Sequence, residues 1–321
     1  MEGIIMQNKP KLTNPCLIAS WPGMGEVAFK TASYLIQKLG AKEFASLDPQ
    51  EFFYFTASAV KDGILDVPEL PSGKFYFWNN PGRAGDIVFF LSNAQPDLAY
   101  AQKYCGRIIR MAKLLKIKTV IGMAAMPSAI DHTQTPSVHF AATHKAVAEH
   151  LKKFKINLLN QGHISGMNGL FLGLVKEAGL KGFCLLGEIP FYTIQIENPR
   201  ANAAVIEALN QVLNLKIDTA ALIDQGRLLE DEINKLMEFL KVSPSMDNPI
   251  GEDDIEKIKK ALTQLTTLPV SVKEKIEQLF ILAKSDLDKA GELKSELDKW
   301  NVYKEYEDRF LDLFKKKDPD N

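Results

Sequence analysis

A glycine-rich turn at residues 23–28, with the sequence GMGEVA, has the spacing of a phosphate-binding loop. The pattern G-x-G-x-x-A follows an apolar run and opens a helical one, and such glycines let backbone amides approach a pyrophosphate. Asp48 ends the next strand-like run, where dinucleotide-binding folds place a ribose contact. Pro22, however, lacks an N–H, and Glu26 would place a carboxylate beside the phosphate. The turn therefore predicts a dinucleotide site or, with fewer conflicts, a tight strand-to-helix connection.

A second glycine-rich junction covers residues 162–169, with the sequence GHISGMNG. It also joins a strand-like run to a helical one. Its free amides could hold an anion or a carbonyl oxygen. Close packing of a helix on a sheet would require the same glycines, so both interpretations stay open.

All five histidines lie between residues 132 and 163, which raises the question of a metal site. Their spacing contains neither HExxH nor HxH, and His144 and His150, six residues apart, point to different helix faces. We therefore expect no metal and no cofactor. His132 follows Asp131 in a loop between two strands, where it either lines a functional pocket or makes an ordinary loop contact. No serine lies in a G-x-S-x-G elbow, so no catalytic residue is predicted.

The overall composition argues against several functional classes. The chain has 321 residues, a net charge of -1 and 46% hydrophobic residues, as soluble globular proteins do. The balanced charge argues against a nucleic-acid partner, and no apolar run reaches the 18 residues that a membrane span needs. The N-terminus lacks the apolar core of a signal peptide, and three cysteines are too few for a disulfide framework. We therefore expect a cytoplasmic protein without a membrane or nucleic-acid partner.

The elements that must position these residues alternate between strands and helices over residues 1–241. Apolar runs predict strands at 15–20, 42–47, 52–60, 73–78, 86–92, 118–125, 138–141, 156–159 and 182–187. Apolar residues at helical spacing predict helices at 26–39, 97–115, 143–153, 167–178 and 201–215. This rhythm indicates a three-layer α/β sandwich. Because the strands between 42 and 92 follow one another without helices, we expect a mixed sheet.

From residue 219 onward the pattern is helical, and the charge density rises. Residues 242–321 contain 18 acidic and 14 basic side chains, against 47 charged residues in the preceding 241. We therefore predict an α/β domain at 1–241 and a helical C-terminal extension at 242–321. Two apolar seams flank the boundary, one formed by Leu229, Ile233, Leu236 and Leu240 and the other by Ile255, Ile258, Leu262 and Leu265. The helices either dock on their own body or form an oligomer or partner-binding arm.

Several short motifs occur together in an order that one protein family shares. They are Trp21-Pro22 with Gly25 and Val27-Ala28; residues 93–96 (NAQP); His132 with Pro136; Gly166, Asn168 and Gly169; and residues 190–192 (PFY) and 198–201 (NPRA). In their order and spacing they make the sequence resemble the proteasome assembly chaperone family, chaperone-2 type, of archaea and bacteria. The resemblance extends from near residue 14 to near residue 240.

The resemblance implies an α/β sandwich similar to nucleoside phosphorylases and related hydrolases, homo-oligomers, and no established catalytic activity. Eukaryotic relatives pair with a second chaperone to assemble the α-ring of the proteasome core. Some archaeal relatives end in a hydrophobic–Tyr–any-residue tail that docks between α-subunits. This sequence ends KKKDPDN, and its Val302-Tyr303-Lys304 is internal, so it departs from the family there.

Two functional hypotheses follow. The first is a non-catalytic, homo-oligomeric interaction protein, a scaffold or assembly chaperone, whose partners are copies of itself and another protein assembly. The seam from Leu229 to Leu240 is its candidate contact surface. The second is an enzyme or sensor that binds a nucleoside, nucleotide or phosphate where the strands of an open α/β sheet end. Its pocket would be lined by Trp21, Pro22, Gly23, Gly25, Asn93, Gln95, His132, Gly166, Asn168 and Gly169. The missing catalytic signatures favour the first hypothesis.

Overall fold

The structure is a computed structural model that describes residues 3–55, 58, 60–61, 63–82, 85–242, 270–286, 289–299 and 303–314. The chain divides into two compact units, an N-terminal unit (Met1–Pro244) and a C-terminal unit (Ser245–Asn321). Each unit has a hydrophobic core of its own.

The described part of the N-terminal unit contains a mixed sheet of nine strands and a separate two-stranded hairpin. The strands are β1 (Ile4–Met6), β2 (Cys16–Ser20), β3 (Lys42–Leu47), β4 (Val60–Lys61), β5 (Ile64–Leu65), β6 (Gly73–Trp78), β7 (Ile87–Ser92), β8 (Thr119–Ser128), β9 (Val138–Ala142), β10 (Asn157–Leu158) and β11 (Lys181–Pro190). The order in the sheet is β1-β3-β6-β7-β2-β8-β11-β9-β10, and β4 pairs with β5.

Four parallel strands, β7, β2, β8 and β11, form the centre of the sheet. Adjacent residues such as Leu17 and Ile18 point to opposite faces and are both fully buried, as expected of a strand covered on both sides. Towards one edge, β6, β3 and β1 continue the sheet in antiparallel pairs. Towards the other, β9 is antiparallel to β11, and β10 is parallel to β9. The predicted mixed sheet is confirmed.

Helices cover both faces of the sheet. They are α1 (Val27–Leu39), α2 (Ala101–Leu114), α3 (Lys145–Leu151), α4 (Met167–Glu177), α5 (Pro199–Leu213) and α6 (Ala220–Val242). α2 and α4 pack on the face that contains Trp21 and Phe90, whereas α1, α3 and α5 pack on the face that contains Ile18 and Phe140. The three-layer α/β sandwich is therefore confirmed. Among the helices that the structure describes, none combines the length and apolar character needed to cross a membrane.

The predicted strand at 52–60 is wrong. Phe52 and Phe53 lie in a turn, since both of their amides donate to the carbonyl oxygen of Pro49, at 2.9 and 3.1 Å. Their rings pack against Tyr104 of α2, with centroid distances of 4.9 and 6.0 Å. An aromatic-rich run resembles a strand in composition, but here its rings are buried against a helix. Among the residues of this stretch that the structure describes, only Val60 at its end belongs to a strand, in the hairpin.

Cysteines contribute to the core of the N-terminal unit. Cys105 and Cys184 are fully buried, and burial raises the pKa of each thiol to about 12. Thiols held in this way are protonated at neutral pH and poorly nucleophilic. Their role is packing, as the apolar surroundings of Cys184 in the sequence indicate.

The described helices of the C-terminal unit are α7 (Val270–Ser285), α8 (Ala290–Lys299) and α9 (Tyr303–Leu311). Their apolar side chains, Phe280, Leu293 and Phe310 among them, form a small core. Tyr303, from the internal Val-Tyr-Lys tripeptide, packs its ring on Phe310 at a centroid distance of 5.4 Å. The predicted seam at 255–265 lies outside the described residues.

Candidate functional site

The carboxyl ends of the four parallel strands meet at one edge of the sheet. In the register of the sheet, Ser20 at the end of β2 pairs with Leu91 of β7, and Ser128 at the end of β8 pairs with Pro190 of β11. The segments that follow these ends therefore leave the sheet on the same side. Ligands bind at this edge in open α/β sheets, and most of the predicted site residues lie on these segments.

Asn168, at the second position of α4, ties that helix to the end of β2. Its side-chain amide donates to the carbonyl oxygen of Trp21, and its side-chain oxygen accepts from the backbone N–H of Trp21, both at 3.1 Å. The side chain thus makes the pair of bonds that a neighbouring strand would make. Trp21 and Asn168 are both buried, where water does not reach their polar groups. These two bonds therefore satisfy donors and acceptors that would otherwise have no partner.

Gln95 makes a second connection of the same kind. Its side-chain amide donates to the carbonyl oxygen of Pro22 at 2.8 Å, and its side-chain oxygen accepts from the backbone N–H of Met167 at 3.1 Å. Gly166 lies against this side chain with φ +71°, and a Cβ there would stand 3.2 Å from the Gln95 side-chain oxygen. We call Gln95 and Asn168, with the backbone groups of Trp21, Pro22 and Met167, the amide network. It joins the segments after β2 and β7 to the start of α4.

The Trp21 side chain lies beneath this network. It is fully buried, with its ring 5.5 Å from that of Phe90 and 5.3 Å from that of Phe171. Its backbone is bonded to Asn168, and its ring fills the core between the sheet and α4. Trp21 therefore connects the amide network to the hydrophobic core beneath it.

Two backbone amides of the glycine-rich turn at 23–28, those of Gly25 and Glu26, are bonded within the chain. The N–H of Gly25 donates to the carbonyl oxygen of Ile194 at 2.7 Å, and the N–H of Glu26 donates to that of Gly23 at 2.9 Å. Glu26 itself adopts a left-handed conformation, with φ 51°. Burial raises the pKa of its carboxyl group, an effect that nearby Lys30 opposes. These contacts fit the tight strand-to-helix connection better than a dinucleotide site.

His132 belongs to a second polar group, the histidine cluster, formed by His132, Tyr192 and Asn234. Its Nδ1 lies 2.8 Å from the Tyr192 hydroxyl, which also accepts from the His132 backbone N–H at 2.9 Å, and its Nε2 lies 2.9 Å from the Asn234 side-chain oxygen. The Asp131 carboxylate lies beside the same ring nitrogen, with its Oδ1 3.5 Å from the His132 Nδ1. Burial raises the pKa of Tyr192 to about 12. The cluster joins the loop after β8, the turn after β11 and α6.

An ion pair fixes α6 next to the histidine cluster. Arg200 at the start of α5 pairs with Glu230 of α6, with a nitrogen–oxygen distance of 2.7 Å, and also donates to the carbonyl oxygen of Thr133 at 3.3 Å. Gly226 faces this arginine, and a Cβ there would stand 2.6 Å from the Arg200 Cγ. The glycine therefore allows α6 to approach α5 closely.

Glu230→Ala is expected to lower the free energy of unfolding of the N-terminal unit by about 2 kcal/mol, because it leaves the largely buried Arg200 guanidinium without its carboxylate. The matched control is Asp224→Ala on the same helix, where both members of the Asp224–Arg227 pair are exposed. That change should cost less than about 1 kcal/mol. Urea unfolding followed by circular dichroism measures both, and equal losses would contradict the assignment of Arg200–Glu230 as the link between the helices.

The predicted pocket residues fall into separate groups. Asn93 is exposed, and its side-chain oxygen accepts from the Ser72 backbone N–H at 2.8 Å and not from a group of the amide network. Gly169 packs α4 against Ile164. One group lies at the amide network and consists of Trp21, Pro22, Gln95, Gly166 and Asn168, with Gly23 beside Asn168. Gly25 contacts the turn after β11, and His132 lies in the histidine cluster.

The predicted seam lies on α6. Ile233 is buried in the isolated chain, and Leu229 is half-buried, while the side chains of Leu236 and Leu240 lie outside the described residues. Sequence reasoning did not single out Asn234 or Glu230 on the same helix. Glu230 and Asn234 are four residues apart on a helix and therefore lie on one face. This polar stripe beside the apolar seam is a sequence signal that could have identified them.

Comparison with known proteins places both polar groups within one family region. The model of the PAC2 family matches residues 17–237, a range that includes the amide network and the histidine cluster. An uncharacterized protein of Methanocaldococcus jannaschii, MJ1210, is 26% identical over 258 residues, which cover 77% of this chain and 93% of that protein.

Solved structures show the same fold. Pyrococcus furiosus PbaB, described as an archaeal proteasome activator, is 26% identical with a TM-score of 0.64, over 73% of this chain and 98% of its own. Pyrococcus furiosus PbaA, described as an archaeal homolog of proteasome-assembly chaperone, is 25% identical with a TM-score of 0.57, over 73% of this chain and 96% of its own. The resemblance noted in the sequence is thereby confirmed, and the chain belongs to the PAC2 family.

Proposed function

We propose that this chain is a cytoplasmic interaction protein that assembles with copies of itself and acts on proteasome subunits as an assembly chaperone, without catalysing a reaction. The observation that carries the proposal is its similarity to PbaB and PbaA, at 26% and 25% identity over nearly the whole of each. Both are described in terms of the proteasome, one as an activator and one as a homolog of an assembly chaperone.

The chemistry of the sheet edge supports this role. Polar side chains that could act on a small molecule, Gln95, Asn168 and His132, are each bonded on two sides to groups of the same chain. Groups held in this way give an edge of fixed shape. A fixed surface suits the recognition of a protein partner, because little ordering entropy is lost on binding.

The alternative is a small-molecule enzyme or sensor at the same edge. It would need the amides of Gly25 and Glu26 for a phosphate, and these already donate to Ile194 and Gly23. Opening them would leave two carbonyl oxygens without donors, at a cost of about 1–3 kcal/mol for each that is buried. The interaction role requires no such opening.

An assembly assay tests the proposal. Separately purified archaeal proteasome α- and β-subunits are mixed with and without the full chain, and core particles are quantified on native gels. We expect the chain to raise the yield or rate of particle formation. An equal amount of bovine serum albumin in its place should raise neither. An unchanged yield, together with no complex between the chain and the α-subunits, would sink the proposal.

A further inference from the structure

The turn between α2 and β8 contains a lysine in a left-handed conformation. The Lys116 N–H donates to the carbonyl oxygen of Lys113 at 3.1 Å, and the Ile117 N–H donates to that of Ala112 at 2.9 Å. Lys116 has φ +58°. This pair of bonds commonly closes a helix, and glycine fills the left-handed position at the lowest conformational cost. Lys116 is therefore held against the backbone preference of a lysine.

The turn between α4 and β11 has the same structure with a glycine in that position. The Gly179 N–H donates to the carbonyl oxygen of Lys176, and the Leu180 N–H donates to that of Val175, both at 3.0 Å. Gly179 has φ +78°. Closing the helix therefore does not require a lysine. What Lys116 adds to its turn is an exposed positive charge.

The two turns lie side by side at the edge where the parallel strands begin. α2 and α4 pack against each other. Lys118 stands directly before β8, and Lys181, the first residue of β11, pairs with Thr119 in the register of these two strands. We call the exposed basic residues of the two turns and of the end of α2 the lysine edge, which consists of Arg110, Lys113, Lys116, Lys118, Lys176 and Lys181. Glu177 is the one acidic residue in the two turns.

The charges of the lysine edge are not neutralised by the part of the chain that the structure describes. None of the six forms an ion pair there, whereas Lys30, Lys74 and Lys103 each pair with a glutamate. Adjacent strands lie about 4.8 Å apart, which is less than the Debye length of roughly 8 Å at physiological ionic strength. The lysines before β8 and β11 therefore repel each other, and an anionic partner would remove that repulsion.

The apolar residues of the two turns indicate what kind of anionic partner fits. Leu114, Ala178 and Leu180 are half-buried among the lysines, so the surface also offers apolar contacts. The turns contain no aromatic side chain on which a nucleic-acid base could stack. Their large apolar side chains are not exposed, as insertion into a membrane requires. These features favour a protein segment over a nucleic acid or a lipid surface.

We propose that the lysine edge binds an acidic segment of a protein partner that also carries apolar side chains. Carboxylates of the segment pair with the lysines of both turns, and its apolar side chains contact Leu114 and Leu180. The charge of Lys116 then has a role that Gly179 in the matching turn does not have. The inference goes beyond the proposed function, because neither self-assembly nor action on proteasome subunits requires this surface.

Fluorescence anisotropy of a labelled peptide of repeated Asp-Glu-Leu units, titrated with the full chain, tests the surface. We expect saturable binding that weakens with added salt, and no binding of a matching Asn-Gln-Leu peptide. Lys118→Glu combined with Lys181→Glu should weaken binding at least about 10-fold. The matched control combines Lys153→Glu with Lys155→Glu, two exposed lysines of the turn between α3 and β10. It makes the same change in net charge and should bind like the wild type.

Lys116→Gly separates binding from folding. Glycine suits a φ of +58°, so the urea midpoint should rise, while peptide binding should weaken about 3-fold because one cation is lost. Failure of the wild type to bind the acidic peptide overturns the inference, as do equal losses in the two double variants or unchanged binding by Lys116→Gly. Tighter binding of polyuridine or of phosphatidylserine vesicles overturns it too. So does altered sedimentation of the Lys118/Lys181 variant alone, which would assign the edge to contacts between copies.

Discussion

Gly169→Ala is expected to lower the free energy of unfolding of the N-terminal unit by about 3 kcal/mol. A Cβ at this position would stand 2.6 Å from the carbonyl carbon of Ile164 and 2.7 Å from its Cβ. The obstacle is largely backbone, so no side-chain rotation relieves it. The start of α4 must move, and Asn168 beside it then loses its geometry towards Trp21. Urea unfolding followed by tryptophan fluorescence measures the loss.

The control for this change lies one helical turn further on. Gly173 is exposed on α4, and a Cβ there would meet no atom within 4 Å. Gly173→Ala should raise the free energy of unfolding by about 0.5–1 kcal/mol, because alanine loses less backbone entropy on forming a helix. If both alanines change the stability alike, close packing at Gly169 is not the reason for that glycine.

Asn168→Ala is the second change with a large expected effect. It removes the two bonds to Trp21 and leaves a buried N–H and a buried carbonyl oxygen without partners. We expect a loss of about 3 kcal/mol in the free energy of unfolding. Because the Trp21 backbone is no longer held, its ring should shift among Phe90 and Phe171, and the tryptophan emission of the native state should move to longer wavelength.

Two further variants separate the bonds from general effects of substitution. Asn168→Asp keeps an acceptor for the Trp21 N–H but removes the donor to its carbonyl oxygen, so it should cost at least as much as alanine. Asn160→Ala changes an exposed asparagine and should cost less than about 0.5 kcal/mol. A loss below about 1 kcal/mol for Asn168→Ala would show that water or a neighbour replaces its bonds.

The elements of the fold could be predicted because their signal is local. The continuous apolar runs of β2 and β7 and the helical spacing of α1 and α4 reflect burial that each segment carries in its own sequence. The strand predicted at 52–60 failed because aromatic residues are equally at home in a strand and against a helix. β1 was not predicted, since three residues are too few to show a period.

The site was only partly predictable because its contacts join distant segments. Trp21 and Asn168 are 147 residues apart, and His132 and Asn234 are 102 apart. The glycine-rich motifs identified the segments that meet at the sheet edge. They do not show which side chains are bonded to each other. They also do not show that Asn234 of α6 contacts His132. Tyr192 was part of the family motif, yet only the structure shows its hydroxyl between the ring and the backbone of His132.

The most direct test of the account is the binding of the full chain to proteasome α-subunits. A fluorescently labelled chain is mixed with α-subunits of Pyrococcus furiosus and followed by sedimentation velocity, with PbaB from the same organism as the positive control. We expect the labelled chain to sediment with the α-subunits and the unlabelled chain to displace it. If the chain sediments alone at every ratio while PbaB binds, the proposed role in proteasome assembly is contradicted.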